Sequence, residues 1–134
     1  MTPATDWALA PVRALAYMGD VVYELHVRER AVRAAAAQVD ALHRATVARV
    51  SAPSQALLAQ RLLPQLAADE AAIFRRARNH KGASGPRRAS ARDYRLSTAF
   101  EAVLGYVYLK QDGARLATLL ALTDDLMEDA PDAP

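Results

Sequence analysis

Two acids stand where acids rarely stand. Asp20 lies in Leu15-Ala16-Tyr17-Met18-Gly19-Asp20-Val21-Val22-Tyr23-Glu24, and Glu101 in Phe100-Glu101-Ala102-Val103-Leu104-Gly105-Tyr106-Val107-Tyr108-Leu109. Each acid sits in a largely apolar run, with a glycine beside it or one turn away. Ionised carboxylates are seldom buried without compensation, so two of them on core-forming helices point to a shared polar site, most simply a metal. Apposed carboxylates repel unless a proton or a cation lies between them. Oxygen donors of this kind favour Mg2+, with Mn2+ as the alternative, over zinc. An ion held there would grip a phosphoryl oxygen, lower the pKa of a water and stabilise a leaving alkoxide.

A basic segment suggests what that chemistry acts on. Between residues 75 and 95 lie eight of the 17 Lys and Arg residues: Arg75, Arg76, Arg78, Lys81, Arg87, Arg88, Arg92 and Arg95. Asp93 is the single acid among them, whereas six acids and only Arg115 follow from residue 112 to the end. A concentrated positive face attracts polyanions. Carboxylates beside such a face read as phosphodiester hydrolysis. A solvated basic loop without a partner is the plainer alternative.

Helices must position these groups. At 134 residues, 52% hydrophobic, with five glycines and abundant alanine, the chain suits one all-α domain of about six helices. That domain is expected over residues 11–128, with poorly ordered ends at 1–10 and 129–134. Cysteine is absent, which excludes disulfides, thiolate zinc sites and Cys nucleophiles. The start carries no basic stretch leading into an apolar one, and no apolar run reaches membrane-spanning length. A cytoplasmic protein without a membrane partner is expected.

Leu15, Met18, Val22 and Leu25 predict a first amphipathic helix from Pro11 to about Ala35. Asp40 is the expected N-cap of a second helix, which Ser51-Ala52-Pro53-Ser54 separates from a third through Leu57, Leu58, Leu62 and Leu63. Asp69 is the expected cap of a short fourth helix ending near Arg78. Two glycines and a proline make residues 79–91 the one long loop. A fifth helix is expected over 92–111 and a sixth over 114–127. On the fifth, Tyr94, Thr98, Glu101, Gly105 and Tyr108 share a stripe. Gly19 and Gly105 remove side-chain bulk where the first and fifth helices would cross, setting Asp20 against Glu101. His26 and His43 have no nucleophile–acid arrangement around them and read as packing residues, and His80 as a loop residue. Glu24 either reaches the site or pairs with Arg28.

With these strings in order, the chain resembles the ribonuclease III catalytic domain, and most closely its small bacterial branch, Mini-ribonuclease III. Tyr23-Glu24-Leu25, Leu42-His43-Arg44, Val50-Ser51-Ala52 and Phe74-Arg75-Arg76-Ala77-Arg78-Asn79 support the branch, over about residues 11–120. The resemblance implies a Mg2+-dependent endonuclease that cuts double-stranded RNA, leaving 5′-phosphate and 3′-hydroxyl ends. For the small branch it implies precursor large-subunit ribosomal RNA as substrate. Asp20 and Glu101 fall on the family's essential acidic positions. The larger enzymes carry further acids where this chain has Ala16 and Thr98, a departure that the small branch shares. They also append an RNA-binding domain for which the 21 residues after Gly113 leave no room. Binding is then expected to fall to Arg75, Arg76, Arg78, Asn79, Lys81, Arg87 and Arg88. Tyr17 is expected at the two-fold interface of a homodimer. The rival reading is a ribonuclease III-like domain that binds structured or ribosomal RNA without cutting it.

Overall fold

The computed structural model describes residues 6–34, 38–80 and 90–128. Six α-helices carry the fold: α1 (Val12–Arg33), α2 (Val39–Val50), α3 (Ala52–Leu62), α4 (Ala68–Arg78), α5 (Ala91–Leu109) and α6 (Gly113–Glu128). No strand occurs among the described residues. α5 is the central element and packs most extensively on α1, then on α3 and α4. Ten of its residues are buried, from Leu96 to Val107, so it is apolar nearly all round and must be enclosed by neighbours. Around it Leu15, Tyr23, Leu58, Leu62, Phe74 and Leu119 are fully buried. Tyr23 of α1 meets Phe100 of α5 edge to face, with ring centroids 4.8 Å apart.

Local chemistry explains the helix ends, with some corrections. The Ser51 hydroxyl accepts from the Ser54 N–H and starts α3, and the Ser90 hydroxyl accepts from the Asp93 N–H and starts α5. Asp40 and Asp69 are not caps: Gln38 and Ala67 hold those positions, and both acids lie in the first turn, where they still complement the helix dipole. At α4 the orphan N–H of Ala67 is met instead by Glu70 Oε1, at 2.8 Å. Gln111, at φ 63°, makes the left-handed turn between α5 and α6. Asp112 then caps α6 by accepting from the Arg115 N–H at 3.0 Å.

The core face of α1 also differs from expectation. Val12, Leu15, Ala16, Gly19, Val22, Tyr23 and Val27 are its buried residues, whereas Leu25 is 66% exposed. Leu25 satisfied the helical period, but it lies with Tyr17 and Val21 on a second, outward apolar stripe. The segment before Pro11 is tied to the domain from Asp6 onward. Trp7–Leu9 form a 3-10 turn, Trp7 packs against the core, and Arg76 donates to the carbonyls of Ala8 and Ala10 at 2.6 and 2.5 Å. Residues 1–5 and 129–134 lie outside the described residues.

Candidate active site

The site is made by a close helix crossing. A Cβ added at Gly19 would strike the carbonyl of Glu101, and one at Gly105 the carbonyl of Leu15. Any residue but glycine would hold α1 and α5 apart at this point. Asp20, the residue after Gly19, and Glu101, one turn before Gly105, are carried into apposition by that contact. Their side chains come within hydrogen-bond reach of each other.

The two acids differ in environment. Asp20 is exposed and Glu101 is half-buried. Burial, then the hydrogen bond and the charge of Asp20, pushes the Glu101 carboxyl up to about 8. A hydrogen bond from Gln55 of α3 opposes this by favouring the ionised form. Without a cation, Glu101 holds a proton near neutral pH.

Gln55 is the residue that sequence reasoning missed. It is 3% exposed, and its carboxamide nitrogen donates to the Val50 carbonyl at 3.1 Å. Its Oε1 is buried without a partner. A buried carboxamide in the otherwise apolar stretch Gln55-Ala56-Leu57-Leu58-Ala59 was the available signal. The donor set fits a hard divalent cation: two carboxylates that repel when both are ionised, and a buried carboxamide beside them with an oxygen lacking a partner. Asp20 and Glu101 would hold the ion. No group of three or more His, Cys, Asp or Glu that could bind a metal exists among the described residues, so water and substrate would complete such a shell. Ala16 is buried in the core, and the Thr98 hydroxyl donates to the Tyr94 carbonyl of its own helix at 2.8 Å.

Other candidates separate clearly. Glu24 pairs with Arg28 at 2.9 Å. Arg75 is exposed, while Arg76 is engaged with the Ala8 and Ala10 carbonyls. Arg78 lies over the Phe74 ring at 6.0 Å, and Asn79, the C-cap of α4, accepts from its guanidinium at 3.4 Å. Lys81, Arg87 and Arg88 lie outside the described residues. His43 and His80 are exposed. His26 meets both oxygens of Asp124 at 3.0 Å, and Arg30 and Arg49 reach the same carboxylate at 3.0 and 3.1 Å. Asp124 is one of the six acids from residue 112 onward, and its carboxylate is buried and ties α6 to α1 and α2. Tyr17, 81% exposed, lies one turn from Asp20.

The comparisons agree with this architecture. A family model described as "Ribonuclease III domain" matches residues 13–112. A Mini-ribonuclease 3 from Gloeobacter violaceus is 48% identical over 124 residues, covering 92% of this chain and 90% of that protein. One from Symbiobacterium thermophilum is 40% identical over 118 residues, 88% of this chain and 91% of the relative. A crystal structure of a Fusobacterium nucleatum protein superposes with a TM-score of 0.80 at 24% identity, covering 91% of this chain and 98% of that one, and so shares the fold. The all-α fold, the matched domain and these relatives together place the chain in the ribonuclease III family, in its Mini-ribonuclease 3 branch, as an endoribonuclease.

Proposed function

We propose that the protein is a Mg2+-dependent endonuclease of double-stranded RNA, with Mn2+ able to replace Mg2+, and that it matures precursor large-subunit ribosomal RNA as a cytoplasmic homodimer. The observation that carries the reading is the apposition of Asp20 and Glu101 at the Gly19–Gly105 crossing. Carboxylates forced together serve an RNA binder poorly, because they repel phosphate. They serve a hydrolase well. When bound, the cation supplies a polarised phosphoryl oxygen, a water of lowered pKa and stabilisation of the leaving alkoxide. The chain's own contribution is positional. Asp20 and Glu101 would hold the ion, and Gln55 beside them favours the ionised form of Glu101. Direct attack by water then leaves a 5′-phosphate and a 3′-hydroxyl.

Duplex RNA is read mainly through phosphates and 2′-hydroxyls, which suits a binding set of Arg75, Arg78, Asn79, Lys81, Arg87 and Arg88. Arg76 is engaged within the fold and has a weaker claim. Tyr17, Val21 and Leu25 form an exposed apolar stripe on α1, which supports a two-fold face placing one acidic pair on each strand. No described helix is long and apolar enough to cross a membrane.

Incubation of the purified protein with duplex and single-stranded RNA, in Mg2+ and in chelator, tests the reading. Paired cuts of the duplex in Mg2+ alone are expected, and cutting that persists in chelator would refute it. A fragment spanning precursor large-subunit RNA should outcompete an arbitrary duplex. Sedimentation of wild type and Tyr17→Ala should show a dimer that the substitution weakens.

A further inference from the structure

A second polar site lies away from the acidic pair. A cavity of about 480 Å³ opens between α3, α4 and α5, rimmed by Gln60, Arg78, Asn79, Arg92 and Arg95. Arg92 is nine residues before Glu101, so the helical period sets it half a turn round α5 and about 13.5 Å along the axis. The cavity is therefore distinct from the Asp20–Glu101 site.

Among the described residues its charge is uncompensated. Arg28, Arg30, Arg33, Arg49, Arg115 and Lys110 each pair with a carboxylate. Arg61 and Arg76 bond backbone carbonyls instead. No carboxylate among the described residues lies within ion-pair distance of Arg78, Arg92 or Arg95. The Gln60 carboxamide, turned with its oxygen inward, accepts from Arg92 and holds that guanidinium at the rim. The N-terminus of α5 adds its positive dipole end to the same corner. Three guanidiniums converging on one cavity repel each other, and an anion relieves that repulsion.

The volume narrows the class of anion. About 480 Å³ is far more than a bare phosphate fills and lies in the range of small-molecule sites. Leu63 and Leu96 also line the cavity and offer an apolar surface of the kind a nucleobase covers. We propose that this cavity binds a nucleotide, its phosphate on Arg78, Arg92 and Arg95 and its base against Leu63 and Leu96. The nucleotide is either one in the RNA strand beyond the cut or a free mononucleotide. The first source rests on the duplex-RNA reading above; the second stands without it.

Calorimetric titration of the purified protein with AMP, adenosine and inorganic phosphate tests the cavity directly. AMP should bind with one-to-one stoichiometry and adenosine should not bind. The double variant Arg92→Gln/Arg95→Gln should weaken AMP by about tenfold or more, the loss expected for two charge-assisted hydrogen bonds. Arg44→Gln on α2 should leave AMP binding as in wild type. In duplex-RNA cleavage, a KM raised about tenfold with little change in kcat in the double variant identifies the strand as the source. AMP binding lost with KM unchanged identifies the free nucleotide. AMP affinity and KM both unchanged in the double variant, with circular dichroism showing an intact fold, would overturn the proposal. If no protein cuts duplex RNA, the substrate reading fails while the AMP titration still decides the cavity.

Discussion

Gly19 and Gly105 meet back to back at the α1–α5 crossing, where a Cβ added at Gly105 would also come within 3.0 Å of the Gly19 amide nitrogen. The contact leaves no room for a methyl group on either side, and it sets the spacing of the two acids.

Gly19→Ala therefore sets two effects against each other. Alanine improves helix propensity by about 1 kcal/mol. Overpacking against the Glu101 backbone costs about 1–3 kcal/mol or more, because that neighbour is main chain within a helix and cannot swing away. Destabilisation should win. Thermal melting should fall, and cleavage should drop more steeply than stability because Asp20 and Glu101 move apart. An alanine variant that melts higher and cuts normally would mean that the crossing does not set the site.

Asp20→Asn and Glu101→Gln should each reduce turnover by more than the roughly 100-fold typical of outer-shell losses at metal sites, with the fold retained. Both keep shape while removing charge that would hold the cation. Single-turnover cleavage at saturating Mg2+, with circular dichroism as the control, measures this. Wild-type turnover in either variant would remove that residue from the site.

The Glu101 carboxyl, raised to about 8 by burial and then by Asp20, makes metal-free stability depend on pH. Between its ordinary value near 4.5 and about 8 the folded chain binds this proton more tightly than the unfolded chain. Linkage then makes this residue's contribution to stability fall as pH rises through the window and level off above it. Glu101→Gln should remove that component of the slope. Cation affinity should rise over the same window, because binding displaces the proton. Melting temperature against pH in chelator, for both proteins, checks the sign. Parallel profiles would show that Glu101 does not titrate there.

Gln55→Leu should weaken cation binding by about tenfold, the scale of a lost outer-shell partner, while leaving the helices in place. Leucine fills similar volume but cannot donate to Glu101 or to the Val50 carbonyl. Mn2+ binding followed by electron paramagnetic resonance separates this effect from loss of fold. Unchanged affinity would make Gln55 a packing residue only.

Much of this protein was legible without coordinates. Alanine-rich composition and the 3.6-residue period predicted six helices, and the pairing of Gly19-Asp20 with Glu101-Gly105 predicted the crossing, because glycine in a helix implies close approach. The i,i+4 spacing made pairing of Glu24 with Arg28 one of two readings, and that pair is the one found. Other features depended on contacts between distant segments, which periodicity does not encode. Leu25 satisfied the same apolar period as Val22, and only the packing of α1 on α5 assigns one to the core and the other to the surface. Gln55 joins the site through the turn that brings α3 beside α5. Asp124, 98 residues from His26, draws its partners from α1 and α2. The five described arginines of the basic segment look alike in sequence; tertiary contact engages Arg76 with backbone carbonyls and gathers Arg78, Arg92 and Arg95 around one cavity. Helical period and residue type act locally and can be read from the chain, whereas which charges are neutralised is decided only when the helices come together.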